Sequence, residues 1–193
     1  MPRRLKVVQH RRRREAKTDY RQRLGLLKSG KPRLVIRKSN KGILCDIVEY
    51  KKSGDSVIVG STSKELAKFG WNANSGNLPA AYLTGLLCGK KAKEKSVKGA
   101  VFDSGLYTSV KGSRVYAALK GVVDGGLDVP HSKEILPDDA RISGSHIANY
   151  ANKLKKESPA GYKKLFSGYL KNSNQPENLS SLFQTVKAKI LGK

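Results

Sequence analysis

Four consecutive arginines, Arg11 to Arg14, carry the most legible chemistry in this chain. A guanidinium is planar, permanently charged and forked, so its N–H donors match the oxygens of a phosphate. The run lies in a stretch whose charges are Arg3, Arg4, Lys6, Arg11, Arg12, Arg13, Arg14, Lys17, Arg21, Arg23 and Lys28, against only Glu15 and Asp19. Tyr20, in the same stretch, offers a ring that can stack on an unpaired base or anchor a helix of the arm.

A second cluster follows at once: Lys31, Arg33, Arg37, Lys38, Ser39, Asn40 and Lys41. Arg33 and Arg37 are four apart, so a regular strand presents both on one face. A polar turn at its end suits a contact between RNA and the end of a sheet. Lys111, Ser113 and Arg114 flank Gly112 at a predicted helix start, where free N–H groups and the helix dipole favour an anion. Lys90 and Lys91 complete the candidate RNA contacts. They follow Gly85 and Gly89 in a run that resembles a phosphate loop, but the spacing is one short, Lys91 replaces the hydroxyl residue, and the run lies within a helix. Close helix packing at the two glycines is the expectation there.

Catalytic chemistry is poorly supported. The chain has no Gly-x-Ser-x-Gly elbow. His10, His131 and His146 are scattered, and no Cys-x-x-Cys or Cys/His cluster suggests zinc. Asp46, Asp103 and Asp124 would have to converge around Mg²⁺ to make a two-metal nuclease, and Asp103 and Asp124 read more naturally as strand-end and helix-end residues. No enzyme activity, cofactor, metal or small-molecule substrate is expected. The alternatives are that metal-dependent nuclease and a protein that docks a helical partner on its C-terminal apolar stripe.

Bulk composition agrees with the clusters. The 193 residues hold 39 Lys and Arg against 15 Asp and Glu, a net charge of +24. Such an excess opposes compaction unless counter-charge arrives from outside, and release of counterions from phosphates rewards dense Lys and Arg. A membrane surface would need an apolar aromatic face beside the basic one, yet residues 1–30 contain no Trp or Phe. No apolar run approaches the ~20 residues of a membrane span, and the N-terminus has no apolar segment of the kind a secretory signal requires. Cys45 and Cys88 lie in apolar runs and read as buried free thiols of a reducing compartment.

The elements that must position these residues follow from periodicity and turn chemistry. Residues 1–30 form a basic arm, with a helix from Glu15 whose Tyr20, Leu24 and Leu27 make a narrow docking stripe. Residues 31–136 form an α/β core. Strands at 33–37, 43–50 and 56–60 are joined by short turns into an antiparallel meander. A capping box at Thr62 and Glu65 opens a short helix, and Asn77 and Pro79 open a longer one. A strand at 99–103, a helix begun by Ser113 and ended by Gly125-Gly126, and a strand at 127–130 add two parallel strands. The fold class is α/β with a mixed five-stranded sheet. Residues 137–193 form a more peripheral helical extension, its last helix amphipathic through Leu179, Leu182, Phe183, Val186 and Ile190.

Five segments carry a resemblance: Arg11 through Tyr20, Gly30 through Lys41, Pro79 through Leu87, Lys111 through Val115 and Glu134 through Pro137. In this order they resemble the archaeal large-subunit ribosomal protein family numbered eighteen, the universal 5S ribosomal RNA-binding family, over roughly residues 10–155. The resemblance implies a ribonuclease-H-like strand arrangement without that enzyme's activity. It also implies a cytoplasmic place in the central protuberance of the large subunit, touching 5S and 23S ribosomal RNA and neighbouring ribosomal proteins.

Overall fold

The computed structural model describes residues 7–172 and 174–192. Arg3, Arg4 and Lys6 of the expected arm lie outside the described residues. The meander forms as β1 (Arg33–Lys38), β2 (Ile43–Lys51) and β3 (Gly54–Thr62). Strand β1 pairs antiparallel with β2 from Arg33 opposite Val48 to Lys38 opposite Ile43, and β2 pairs antiparallel with β3 through a bulge at Ile47 and Val48. Alternation sorts the side chains. Leu34, Ile36, Cys45 and Ile47 are fully buried on one face, while Arg33, Val35 and Arg37 share the other by strand parity.

The capping box closes, with Glu65 Oε1 accepting from the Thr62 N–H at 2.9 Å, and opens a 3₁₀ helix, Ser63–Phe69. Helix α3 (Leu78–Glu94) begins where the Asn77 side chain accepts from the Ala80 N–H at 2.9 Å. Its residues 79–89 are all buried. Strand β4 (Val101–Asp103) then pairs parallel with β1, placing Asp103 beside Val35, and α4 (Arg114–Asp124) returns across α3.

The sheet has four strands, in the order β3-β2-β1-β4, and not five. Residues 127–130 contribute only an isolated parallel bridge between Gly99 and Asp128. Ala100 N–H donates to the Asp128 carbonyl at 3.0 Å, and Asp128 N–H reaches the Lys98 carbonyl at 3.4 Å. Two residues later Pro130 has no N–H to extend a ladder. Leu127 and Val129 are still buried, so the segment packs as a strand would without pairing as one.

Helices α3 and α4 approach at glycines, as expected. A Cβ on Gly85 would strike the Ala118 carbonyl, one on Gly121 the Tyr82 carbonyl, and one on Gly89 would come within 2.5 Å of the Val122 carbonyl oxygen. The C-terminal part comprises α5 (Asp139–Ile142), α6 (Ser145–Glu157), α7 (Pro159–Leu165), α8 (Ser167–Lys171) and α9 (Leu179–Leu191). Around α6 and α7, Ala151, Tyr162 and Phe166 form a satellite cluster. Helix α9 is not peripheral: Leu179, Phe183, Val186 and Ile190 belong to the main core, and the Phe183 ring lies 5.6 Å from that of Tyr82.

Candidate nucleic-acid interface

The arginine run folds as a single helical turn, α1 (Arg11–Arg14), with all four side chains exposed. Glu15 ends it and pairs with Arg11 at 3.4 Å and Lys17 at 2.9 Å. Arg12 Nε donates to Thr18 Oγ1 at 2.9 Å, closing the loop behind the turn. Among the described residues, Arg12, Arg13 and Arg14 have no carboxylate partner, so their charge is available to an external anion.

The arm's longer helix, α2 (Tyr20–Leu27), starts later than the composition suggests. Asp19 sets its beginning by accepting from the N–H groups of Arg21 at 2.9 Å and Gln22 at 3.1 Å. The predicted stripe is not packed into the core. Leu24 is 57% exposed, and α2 has no fully buried residue. Tyr20 is half-buried, its ring 5.6 Å from that of His10, and Arg21 is exposed.

A chain of ion pairs ties α2 to the sheet. Arg23 pairs with Asp55 at 2.8 Å, Asp55 with Arg33 at 2.5 Å, Arg33 with Asp103 at 2.7 Å, and Asp103 with Arg37 at 2.9 Å. The Asp103 carboxylate also accepts from the Gly105 N–H at 2.9 Å. Burial alone would raise the Asp103 pKa. The bonds and charge of Arg37, the Gly105 amide and Arg33 outweigh it and hold the group below its usual value of 3.8. Arg33 and Arg37 do share a face, but Arg33 is only 4% exposed and bonded to two carboxylates. It is a structural tie under the arm and does not reach the surface that was expected of it.

The end of the sheet collects the remaining clusters. The Tyr107 hydroxyl donates to the Lys38 carbonyl at 2.7 Å and accepts from the Lys38 N–H at 3.2 Å, with the Lys38 ammonium 5.1 Å from the ring centre. Arg114 donates to the Gly76 carbonyl at 2.7 Å and the Ser39 carbonyl at 3.3 Å. The start of α4 therefore docks on the β1–β2 turn. Ser39, Asn40, Lys41 and Lys111 are exposed there, as is Lys31 at the entry to β1, and Ser113 makes no side-chain cap.

Lys90 and Lys91 turn inward instead. Lys90 Nζ donates to the Ile190 carbonyl at 2.7 Å, at the end of α9. Lys91 reaches Glu65 at 2.6 Å and the Gly60 carbonyl at 3.1 Å, and with Lys95 at the Ile58 carbonyl it covers the edge strand β3. The nuclease site does not assemble. Asp103 is held by two arginines, Asp124 accepts from the Tyr82 hydroxyl at 2.7 Å, and Asp46 sits beside Gly60. Among the described residues, no group of three or more His, Cys, Asp or Glu could hold a metal ion. Asp55, Thr18 and Tyr107 escaped the sequence reading; the usable signal for Asp55 was the scarcity of acids in a chain this basic.

Fold and surface together define the class: a small mixed α/β protein whose arm and sheet end expose clustered cations, with no catalytic group assembled among the described residues. Residues 3–98 and 92–132 match the family model of ribosomal large subunit proteins 60S L5 and 50S L18. The large ribosomal subunit protein uL18 of Methanococcus maripaludis is 52% identical over 184 residues, covering 95% of this chain and 95% of that protein. The chain belongs to this family of large-subunit ribosomal proteins, which are structural proteins and not enzymes.

Proposed function

We propose that this chain is a structural component of the cytoplasmic large ribosomal subunit that binds 5S ribosomal RNA and helps attach it to 23S ribosomal RNA in the central protuberance, beside neighbouring ribosomal proteins. The observation that carries the reading is the bonded path from arm to sheet end. It runs from α2 through Arg23, Asp55, Arg33, Asp103 and Arg37, and on through Lys38 and Tyr107 to the Ser39–Arg114 contact. This path fixes separate basic segments in one geometry, which is what recognition of RNA by shape requires. Arg11, Arg12, Arg13, Arg14, Lys17, Arg21, Lys31, Lys38, Lys41, Lys111 and Arg114 grip phosphates, and Tyr20, Ser39, Asn40 and Ser113 supply stacking and hydrogen bonds.

The three-part division into arm (1–30), core (31–136) and helical extension (137–193) belongs to the same proposal, with α9 of the extension packed into the main core. So does the ribonuclease-H-like arrangement, supported by the order β3-β2-β1-β4 and by the bridge that sets residues 127–130 on the far side of the 99–103 segment.

The test is filter binding of 5S ribosomal RNA across salt. With about 6–10 phosphates neutralised, affinity falls ~10²–10⁵-fold between 50 and 200 mM salt. A nearly flat response would overturn the electrostatic reading.

A further inference from the structure

Where the arm crosses the outer face of the sheet there is a cavity of about 120 Å³. Arg12, Lys17 and Arg23 line it from the arm, and Arg33 and Arg37 from β1. Asp19 and Asp103 line it too, Asp55 pairs with Arg23 and Arg33, and Glu15 pairs with Lys17, so five cations meet four carboxylates, all of them already engaged. Asp19 caps α2, and both oxygens of Asp103 accept from Arg33 and Arg37. The seam also holds an unmet donor: Arg33 is 4% exposed, and its buried Nε–H has no hydrogen-bond partner. A buried polar group of this kind calls for an acceptor. A neutral ligand would leave the excess charge uncompensated, and a cation would be repelled.

We propose that this seam is a built site for a single oxyanion, supplied by one phosphate of the RNA backbone, that clamps the arm to the core. It rests on the RNA-binding reading above. The free guanidinium N–H groups of Arg12 and Arg23 approach the anion from the arm, and Arg33 lies beneath it as part of the cavity wall. The site would couple arm order to RNA binding, because the anion bridges two elements that otherwise meet chiefly through the Arg23–Asp55 pair.

The experiment uses the full chain and inorganic phosphate. The Arg33 Nε–H resonance is followed in ¹⁵N-labelled protein, alongside tryptic cleavage of the arm. Saturable movement of that resonance with slower arm cleavage is expected. Arg12→Gln weakens the phosphate effect about tenfold, the scale of one charge-assisted bond. Arg14→Gln removes the same charge from the same helical turn but does not line the cavity, and leaves the effect intact. In a preformed complex with 5S ribosomal RNA, added phosphate no longer moves the resonance. If it still does, the site takes free phosphate and the RNA source is overturned. If 5S RNA binds with its steep salt response while phosphate never moves Arg33 and the two variants weaken RNA binding equally, the site is refuted and the RNA reading stands. If phosphate saturates the site but 5S RNA does not bind, the RNA reading fails instead.

Discussion

Asp103 holds two arginines and the turn of the following loop at once, and it does so at 6% exposure. Removing it leaves Arg37 without a carboxylate and the buried Arg33 with Asp55 alone, which costs more than the set contributes over an apolar replacement. Asp103→Ala should therefore lower stability by ~3–5 kcal/mol, measured by urea unfolding with the buried Trp71 as the fluorescent reporter. The pH dependence has a definite sign. Folding depresses the Asp103 pKa below 3.8, so its contribution is complete above that value and is lost as pH falls through the lower folded value. The native chain should lose stability progressively below about pH 4, and Asp103→Ala should lose less over the same window. An equal acid response in both would show that Asp103 is not a source of it. Strand parity put Arg33 and Arg37 on one face, and that reading was sound. It did not reveal what they face, because Asp103 is 70 positions from Arg33 in sequence and arrives only through a parallel strand pairing.

At the scale of elements, identical substitutions should have opposite signs. Gly85-x-x-x-Gly89 on α3 meets Gly121 of α4 and Gly125 at its C-cap, and a Cβ on Gly125 would lie 2.9 Å from the Gly89 Cα. Backbone against backbone cannot yield as a side-chain tip can. Gly85→Ala or Gly121→Ala should destabilise by at least ~1–3 kcal/mol, the usual range for overpacking. Gly25 lies within α2 with nothing inside 4 Å of a built Cβ. Gly25→Ala should favour that helix by ~0.5–1 kcal/mol, seen as slower tryptic cleavage within the arm and unchanged core unfolding. Packing at Gly85 and Gly89 was legible because a glycine pair one helical turn apart within an apolar helix has few other uses. The fifth strand was misread because burial at Leu127 and Val129 mimics strand periodicity, while ladder formation depends on N–H groups that periodicity does not record.

The whole molecule divides its labour unevenly between its two ends. Residues 7–30 contribute no fully buried side chain, and their link to the sheet includes the partly exposed Arg23–Asp55 pair, worth about 1 kcal/mol. Helix α9 lies at the other end, yet Leu179, Phe183, Val186 and Ile190 are each 2% exposed or less. At ~1.5–3 kcal/mol for each buried side chain, their loss approaches the ~5–15 kcal/mol that holds an ordinary domain together. The two truncations should therefore separate binding from folding. Deleting residues 1–30 should leave a cooperative unfolding transition within about 1 kcal/mol of the intact chain while 5S ribosomal RNA affinity drops steeply and its salt slope shallows. Deleting residues 176–193 should abolish the cooperative transition and leave Trp71 solvent-exposed in its emission spectrum, even though the whole arm remains. If the first truncation retained full RNA affinity, the arm would not be the grip. If the second still unfolded cooperatively near the native midpoint, α9 would be an ornament on the core and not one of its walls.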